Sequence, residues 1–356
     1  MKSKRNWIVL AIILVAVALL VAYGRHRMHF DWRVFAEQLR QAQWGRILLA
    51  LGCIYLGYVF RSVRWALLIR HNKKVPLLSL LGTQVIGFTA VALIGRVADP
   101  VRPYLVAKKT SLPLSSQVAV YIVERLFDAG SMALIFCSVI LLAPAGALPH
   151  TEIIRRVGYT GLATTIAGGL FLLAVRLSGN AVASFSEKAF GLASRKLGQA
   201  VGDKIRTFHT GLDTLRSFSD FGIILGTSLA MWVLIALAYL ETTHAFVASP
   251  QLGHMSIAQC MLLMASSMVA SGFQLPILGW FTQIAAVAAA LSGFFGVAPE
   301  PATGCAATLL LVTFLGIVPV GLIWSRFDHI SLKNVTRASG HAEEEVTPPP
   351  ATTQEA

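Results

Sequence analysis

The chain has 356 residues, of which 55% are hydrophobic and only 13% charged, a balance that excludes a water-soluble domain of this length and describes a polytopic membrane protein. Its 30 Lys and Arg against 17 Asp and Glu leave a net charge of +13. These basic residues sit mostly in short loops between apolar runs, where they orient helices and meet anionic lipid headgroups, and no basic-aromatic module points to nucleic acid.

Lys2, Lys4 and Arg5 precede an apolar run from Trp7 to Tyr23, long enough for a retained first span with its N-terminus inside. A cleaved signal peptide is the rival, but the run is long for that role and lacks a small-x-small site near Ala22. In the polar connector Gly24 to Gly45, Phe30, Val34, Phe35 and Leu39 recur at helical spacing opposite Arg33, Glu37 and Arg40. That pattern predicts an amphipathic helix on the membrane surface. Ile47 to Phe60 leads into Arg61-Ser-Val-Arg64-Trp65, where i,i+3 spacing puts both arginines on one helix face and Trp65 reads as an interface anchor.

Leu77 to Gly95 is short and lies between two basic loops, Arg61–Lys74 and Arg102–Lys109. If both loops share a side, the chain must enter and leave the membrane there as a re-entrant hairpin, broken at Gly95 and Pro100. Irregular backbone at membrane depth is tolerated only where protein or a wet cavity covers it. The hairpin carries Arg96, Asp99 and Arg102, and the next span, Gln117 to Ala143, carries Glu124, Arg125 and Asp128. Glu124 and Asp128 share a face by i,i+4 spacing, and Arg125 points about 100° away. Ionised groups within apolar segments cost several kcal/mol each unless paired or facing water, which makes these the candidate site; structural ion pairing is the alternative.

Val157 to Val175 is the next span, Arg176 to Asp220 a polar loop with amphipathic pieces, and Phe221 to Phe246 a span with a Gly222-x-x-x-Gly226 packing signal. Ile257 to Val297 is too long for one span and is interrupted at Gly272, Pro276 and Gly279, so it reads as a second hairpin or two short spans. Thr303 to Trp324 is the last span, and the tail from His341 is too polar to fold. Leu93-Ile-Gly95 has a loose counterpart in Ile277-Leu-Gly279, the kind of broken-helix pair that marks repeats in transporters.

Cys53, Cys137, Cys260 and Cys305 each stand alone in apolar segments, and nine histidines show no ligand spacing, so no metal or other cofactor is expected. P-loop, zincin, nucleophile-elbow and dinucleotide motifs are missing, so no catalytic residue is assigned.

Leu93-Ile-Gly-Arg-Val-Ala-Asp-Pro-Val-Arg102, followed by Glu124-Arg-Leu-Phe-Asp128, resembles the pattern Pro-Gly-Arg-x-Gly-Glu-x-x-Arg, then Glu-Arg-x-x-Asp. That pattern belongs to the transmembrane domain of lysylphosphatidylglycerol synthases and their stand-alone flippase-like relatives. Arg61-x-x-Arg64-Trp65 and the Pro276 to Ala306 stretch match as well. Departures are Ile94 for Pro, Ala98-Asp99 for Gly-Glu, and Leu278 to Gln283 where the family has a Pro-Gly-Gly-Leu-Gly-x-x-Glu-like stretch, which loses a carboxylate near Gln283. The resemblance implies the lipid-translocating half without the soluble aminoacyl-transfer domain.

The expectation is an all-α integral membrane protein with six to eight transmembrane helices, one or two re-entrant or broken hairpins and a candidate inverted repeat, over residues 1–330, with a disordered tail over 331–356. It would sit in a bacterial inner membrane with both termini cytoplasmic and move a phosphate-bearing lipid between leaflets. Arg61, Arg64, Arg96 and Arg102 would hold the phosphate. Asp99, Glu124 and Asp128 would neutralise them or contact a cationic headgroup, Arg125 would lock the hairpin to its neighbour, and Pro276, Gly279 and Gln283 would form the second hairpin. Partners would be anionic lipid headgroups, with a homodimer or a lipid-modifying enzyme both open. The alternative is a membrane glycosyltransferase or an accessory subunit in lipid-linked sugar synthesis, with Asp99 as its carboxylate.

Overall fold

Inside a bilayer every backbone N–H and C=O must be satisfied within the protein, which favours helices wherever the sequence stays apolar. The computed structural model describes residues 30–70, 72–144, 148, 151–191, 194–212, 218–271, 278–328 and 330. The helices are α1 (Trp32–Gln41), α2 (Trp44–Ile69), α3 (Leu77–Ile94), α4 (Val101–Thr110), α5 (Leu114–Leu142), α6 (Thr151–Gly191), α7 (Arg195–Leu212), α8 (Phe218–His244), α9 (Pro250–Gly253), α10 (Ile257–Ser271), α11 (Leu278–Phe295), α12 (Pro299–Leu310) and α13 (Ile317–Phe327). No strand occurs among the described residues. Six helical stretches are long and apolar enough to cross a membrane, and Ile257–Ser271 and Gly279–Phe295 are shorter apolar helices. This is an all-α, multi-pass membrane protein. The first apolar run, Trp7 to Tyr23, and the tail lie outside the described residues.

The chain divides into two compact units. The first takes residues up to Leu51 and Leu237–Leu315. Here the expected amphipathic helix forms as α1, capped by the Asp31 side chain, which accepts from Arg33 N at 2.7 Å. Its apolar side docks on α12, where Gly304 leaves room for Phe35 and Leu39. Asp31 N donates to Glu300 Oε1 at 3.1 Å, and Arg46 pairs with Glu241 at 2.9 Å. Helices α10 and α11 pack as neighbours on either side of residues 272–277, which are outside the described residues together with Pro276. A π-helical turn, Leu311–Leu315, closes this unit.

The second unit takes Gly52–Ala236 and the chain from Gly316 on. Its centre is a helical hairpin, α3 and α4, joined by a 3-10 turn at Arg96–Ala98. Gly95 makes the break: its φ of 91° and ψ of −172° lie in a region open essentially to glycine alone. The hairpin's feet lie at one end, because Lys73 Nζ donates to the Thr110 carbonyl at 2.7 Å. The same basic end gathers Arg70 with Asp220 at the start of α8, and Lys109 with Asp328 after α13 at 2.6 Å. Helix α3 meets different neighbours on two faces. A Cβ on Gly82 would collide with the Trp324 ring and one on Gly321 with Thr89 Oγ1, so glycine is what lets α3 and α13 touch. Gly87 does the same for α4, since a Cβ there would sit 2.4 Å from Arg102 Cγ.

The structure corrects three expectations. Trp65 is 1% exposed and donates to Gln117 Oε1 at 3.1 Å, so it is a core residue of the bundle and not an interface anchor. A Cβ added to Gly222 or Gly226 would meet no atom within 4 Å, so the close packing runs through other glycines. The span expected to end at Val175 continues as helix to Gly191 with a kink at Ser178, and α7 packs back along it.

Candidate functional site

Five elements of the second unit each contribute polar side chains to one place. From α2 come Arg61 and Arg64, from α3 Gln84, from α4 Arg102, from α5 Glu124, Arg125 and Asp128, and from α8 Ser228. Arg64 is 1% exposed and donates to Asp128 Oδ1 at 2.6 Å, to Glu124 Oε1 at 2.6 Å and to Ser228 Oγ at 2.7 Å. Arg102, 0% exposed, donates through Nη2 to both Glu124 oxygens at 2.8 and 2.9 Å and through Nε to Gln84 Oε1 at 3.0 Å. Arg61 Nη1 lies 3.4 Å from Glu124 and 3.3 Å from Asp128. Charged hydrogen bonds of this length are the strong ones, and they offset the cost of burying the ions.

Aromatic rings complete the walls. The Arg102 guanidinium lies 4.3 Å from the Phe88 centroid, 5.3 Å from Trp65 and 5.5 Å from Tyr121. Arg61 shares the Phe88 face at 4.9 Å. Such stacking supplies attraction to a desolvated cation without consuming its N–H donors.

The cluster is deep. From Arg61 to Arg70, from Thr110 back to Arg102, and from Leu114 to Glu124, a helix rises roughly 12–15 Å at about 1.5 Å per residue. Between it and the basic end lies a layer of fully buried aliphatic side chains: Leu68, Leu80, Val106, Val120 and Ile224, all in one core cluster. Each stands one helical turn from a polar partner on its own helix: Arg64, Gln84, Arg102, Glu124 and Ser228 respectively. The spacing is the same on all five helices, so an apolar layer is stacked directly on a polar one.

The sequence places Arg61, Arg64, Arg102, Glu124, Arg125 and Asp128 in the site, and the fold brings these six together. Arg125 does so differently from expectation. It pairs with Asp128 at 3.0 Å and Glu124 at 3.4 Å on its own helix and lies over Tyr121, so its described contacts do not tie the hairpin to α5. The i,i+3 geometry makes that the shorter reach. Asp99 sits half-buried on the hairpin turn, outside these ion pairs. Arg96 lies on the adjoining 3-10 turn, and its side chain is outside the described residues. Of the second-hairpin residues, Gly279 is buried near the start of α11 and Gln283 donates to Ser267 Oγ at 2.7 Å within the first unit. Gln84, Gln117 and Ser228 are not among the residues the sequence singles out. An amide inside an apolar run is the available signal for the two glutamines; nothing local marks Ser228.

No group of three or more His, Cys, Asp or Glu side chains among the described residues is placed to hold a metal ion. Among curated proteins and solved structures nothing matches the chain. The family description "Lysylphosphatidylglycerol synthase TM region" matches residues 6–321, nearly the whole apolar part. With its pattern residues gathered in one buried cluster and its helices built to cross a bilayer, the chain belongs to the family of the lysylphosphatidylglycerol synthase TM region.

Proposed function

We propose that this protein is a lipid translocase: it moves a lipid with a phosphate-bearing headgroup between the leaflets of a bacterial inner membrane, as one polytopic domain with both termini cytoplasmic. The observation that carries this reading is the charge balance of the buried cluster. Three buried guanidinium groups, Arg61, Arg64 and Arg102, and the half-exposed Arg125 beside them meet two carboxylates, Glu124 and Asp128. Simple structural pairing would balance; an excess of buried arginine at bilayer depth calls for an anion. A planar guanidinium grips phosphate oxygens in pairs, which an ammonium cannot do. Glu124 and Asp128 hold the arginines in place between transport events, and Arg96 and Asp99 on the hairpin turn meet the headgroup as it passes. The basic feet of the hairpin attract anionic headgroups to the cytoplasmic surface.

The test is headgroup-quench flipping of a fluorescent phospholipid in liposomes holding the purified chain. Arg102→Ala and Glu124→Gln should each slow flipping at least tenfold. Wild-type rates in variants that still elute as folded protein would remove the cluster from the mechanism.

A further inference from the structure

Resting on the translocase reading, the same cluster also points to where its cargo comes in. We infer that the cluster opens sideways into the hydrocarbon of the bilayer, through a mouth between the hairpin turn and α5 formed by Asp99, Tyr121 and Arg125. The substrate class that fits such a mouth is a lipid whose head enters while its tails stay outside, and a water-soluble phosphate ester is shut out.

Exposure across the cluster falls in one direction. Of the Arg125 side chain 39% is exposed, of Arg61 12% and of Asp128 7%, whereas Glu124, Arg64 and Arg102 stand at 1%. Ion-pair lengths run the same way. Arg64 reaches Glu124 and Asp128 at 2.6 Å each, and Arg102 reaches Glu124 at 2.8 Å. Arg61 and Arg125 pair with the same carboxylates at 3.0–3.4 Å. The tightly held guanidinium groups form the floor. The loosely held ones lie at the opening, where a competing anion meets the weaker bonds.

The surroundings give the direction of the opening. Toward the basic end the cluster is closed by Leu68, Leu80, Val106, Val120 and Ile224. Arg125 instead sits at the edge of α5, with exposed Ile122 one turn before it, exposed Leu126 next to it and exposed Ala129 one turn after. From Leu114 to Arg125 the helix rises about 16 Å, roughly the half-thickness of a hydrocarbon core. A guanidinium flanked by exposed aliphatic side chains at that height borders lipid tails, not water.

Such a cation is costly unless an anion stays beside it. Asp99 supplies one at rest: it lies on the hairpin turn and acts electrostatically on both Arg125 and Tyr121. The Tyr121 ring lies 5.1 Å from the Arg125 guanidinium and 5.5 Å from that of Arg102, so one ring runs from the mouth to the floor. A lipid phosphate that takes the place of Asp99 beside Arg125 keeps the charge neutralised while the head moves inward.

The test uses the full chain in liposomes and two probes with a benzophenone on the same phosphate head: a phospholipid, and a tail-less glycerol phosphate ester. Labelled peptides are mapped by mass spectrometry after illumination. The phospholipid probe should label residues 121–126 at least fivefold more than the stretch around Val233, an exposed mid-helix residue of α8. Ile122→Trp puts a bulky ring on the rim and should cut both that label and flipping at least fivefold with Tm unchanged. Val233→Trp should change neither. Label at 121–126 no higher than around Val233, or unmoved by Ile122→Trp, overturns the sideways mouth, while flipping that still needs Arg102 would leave the translocase reading standing. Equal labelling of 121–126 by the tail-less ester overturns the lipid as the source. Wild-type flipping in Arg102→Ala with no label at 121–126 sinks both.

Discussion

Arg102 shows how much of this site depends on a residue that never touches charge. Its side chain runs across Gly87 of α3, where a Cβ would meet Cγ at 2.4 Å and the backbone Cα at 3.4 Å. Gly87→Leu should therefore push Arg102 off Gln84 and Glu124. We expect a loss of about 1–3 kcal/mol in thermal stability, as for other overpacked cores, together with loss of flipping. Gly130→Ala is the control: nothing lies within 4 Å of that position, and both readouts should stay at the wild-type level. Glu124→Gln acts through charge instead. It removes the negative charge shared by Arg64 and Arg102 and turns one of the two accepting oxygens into an N–H donor, and breaking a buried pair of this kind costs about 3–5 kcal/mol, read as a fall in Tm in detergent. At this scale the sequence is informative. Charge inside apolar runs is rare enough that Arg61, Arg64, Arg102, Glu124 and Asp128 stand out, and burial draws them together. Gln84, Gln117 and Ser228 do not stand out, because uncharged polar residues are common in membrane helices and only tertiary contact tells which ones join a site.

The α3–α4 hairpin is the element that carries the site, and its shape is set at Gly95. The backbone there has a conformation that a side chain would strain by about 1–3 kcal/mol. Gly95→Ala should lower Tm and shift the hairpin enough to weaken lipid binding, whereas Val97→Ala, on the 79% exposed residue beside it, should do neither. Two signals of different kinds make the hairpin legible in the sequence: basic loops on both sides of a short apolar run, and Gly and Pro at its end. The second contact surface of α3 is not legible there. Gly82 and Gly321 sit in ordinary apolar runs, and their role in letting α3 meet α13 emerges only once the helices are side by side. Conversely the Gly222 and Gly226 pair, which matches a known packing pattern, faces open space. A motif gives spacing on one helix; close packing needs a partner at the same height.

For the whole molecule, the positive-inside rule predicts a cytoplasmic location for the end bearing Arg70, Lys73, Lys74, Lys108 and Lys109. A single cysteine at Lys74 or Lys109, in a chain cleared of its native thiols, should resist a membrane-impermeant maleimide in sealed right-side-out vesicles and react once they are opened. Labelling from outside would invert the topology. The six candidate spans and the all-helical build follow from hydropathy because the bilayer leaves so few alternatives. The helix ends do not, since they depend on which polar residues find partners.

On the translocase reading, the stacking of the aliphatic and polar layers bears on how a headgroup would pass. On both arms of the hairpin the layers are one turn apart: Leu80 to Gln84 on the way in, Arg102 to Val106 on the way back. A stroke of about 5.4 Å toward the basic end, one pitch of the helix, would bring Gln84 and Arg102 to the heights that Leu80 and Val106 hold, in a single ratchet of this hairpin past its neighbours. A disulfide joining Val106→Cys to Val120→Cys would pin that slide, halting flipping until reductant frees it. The seal and the cradle would then be two stops on one track, with the passenger carried through by the same guanidinium that first received it.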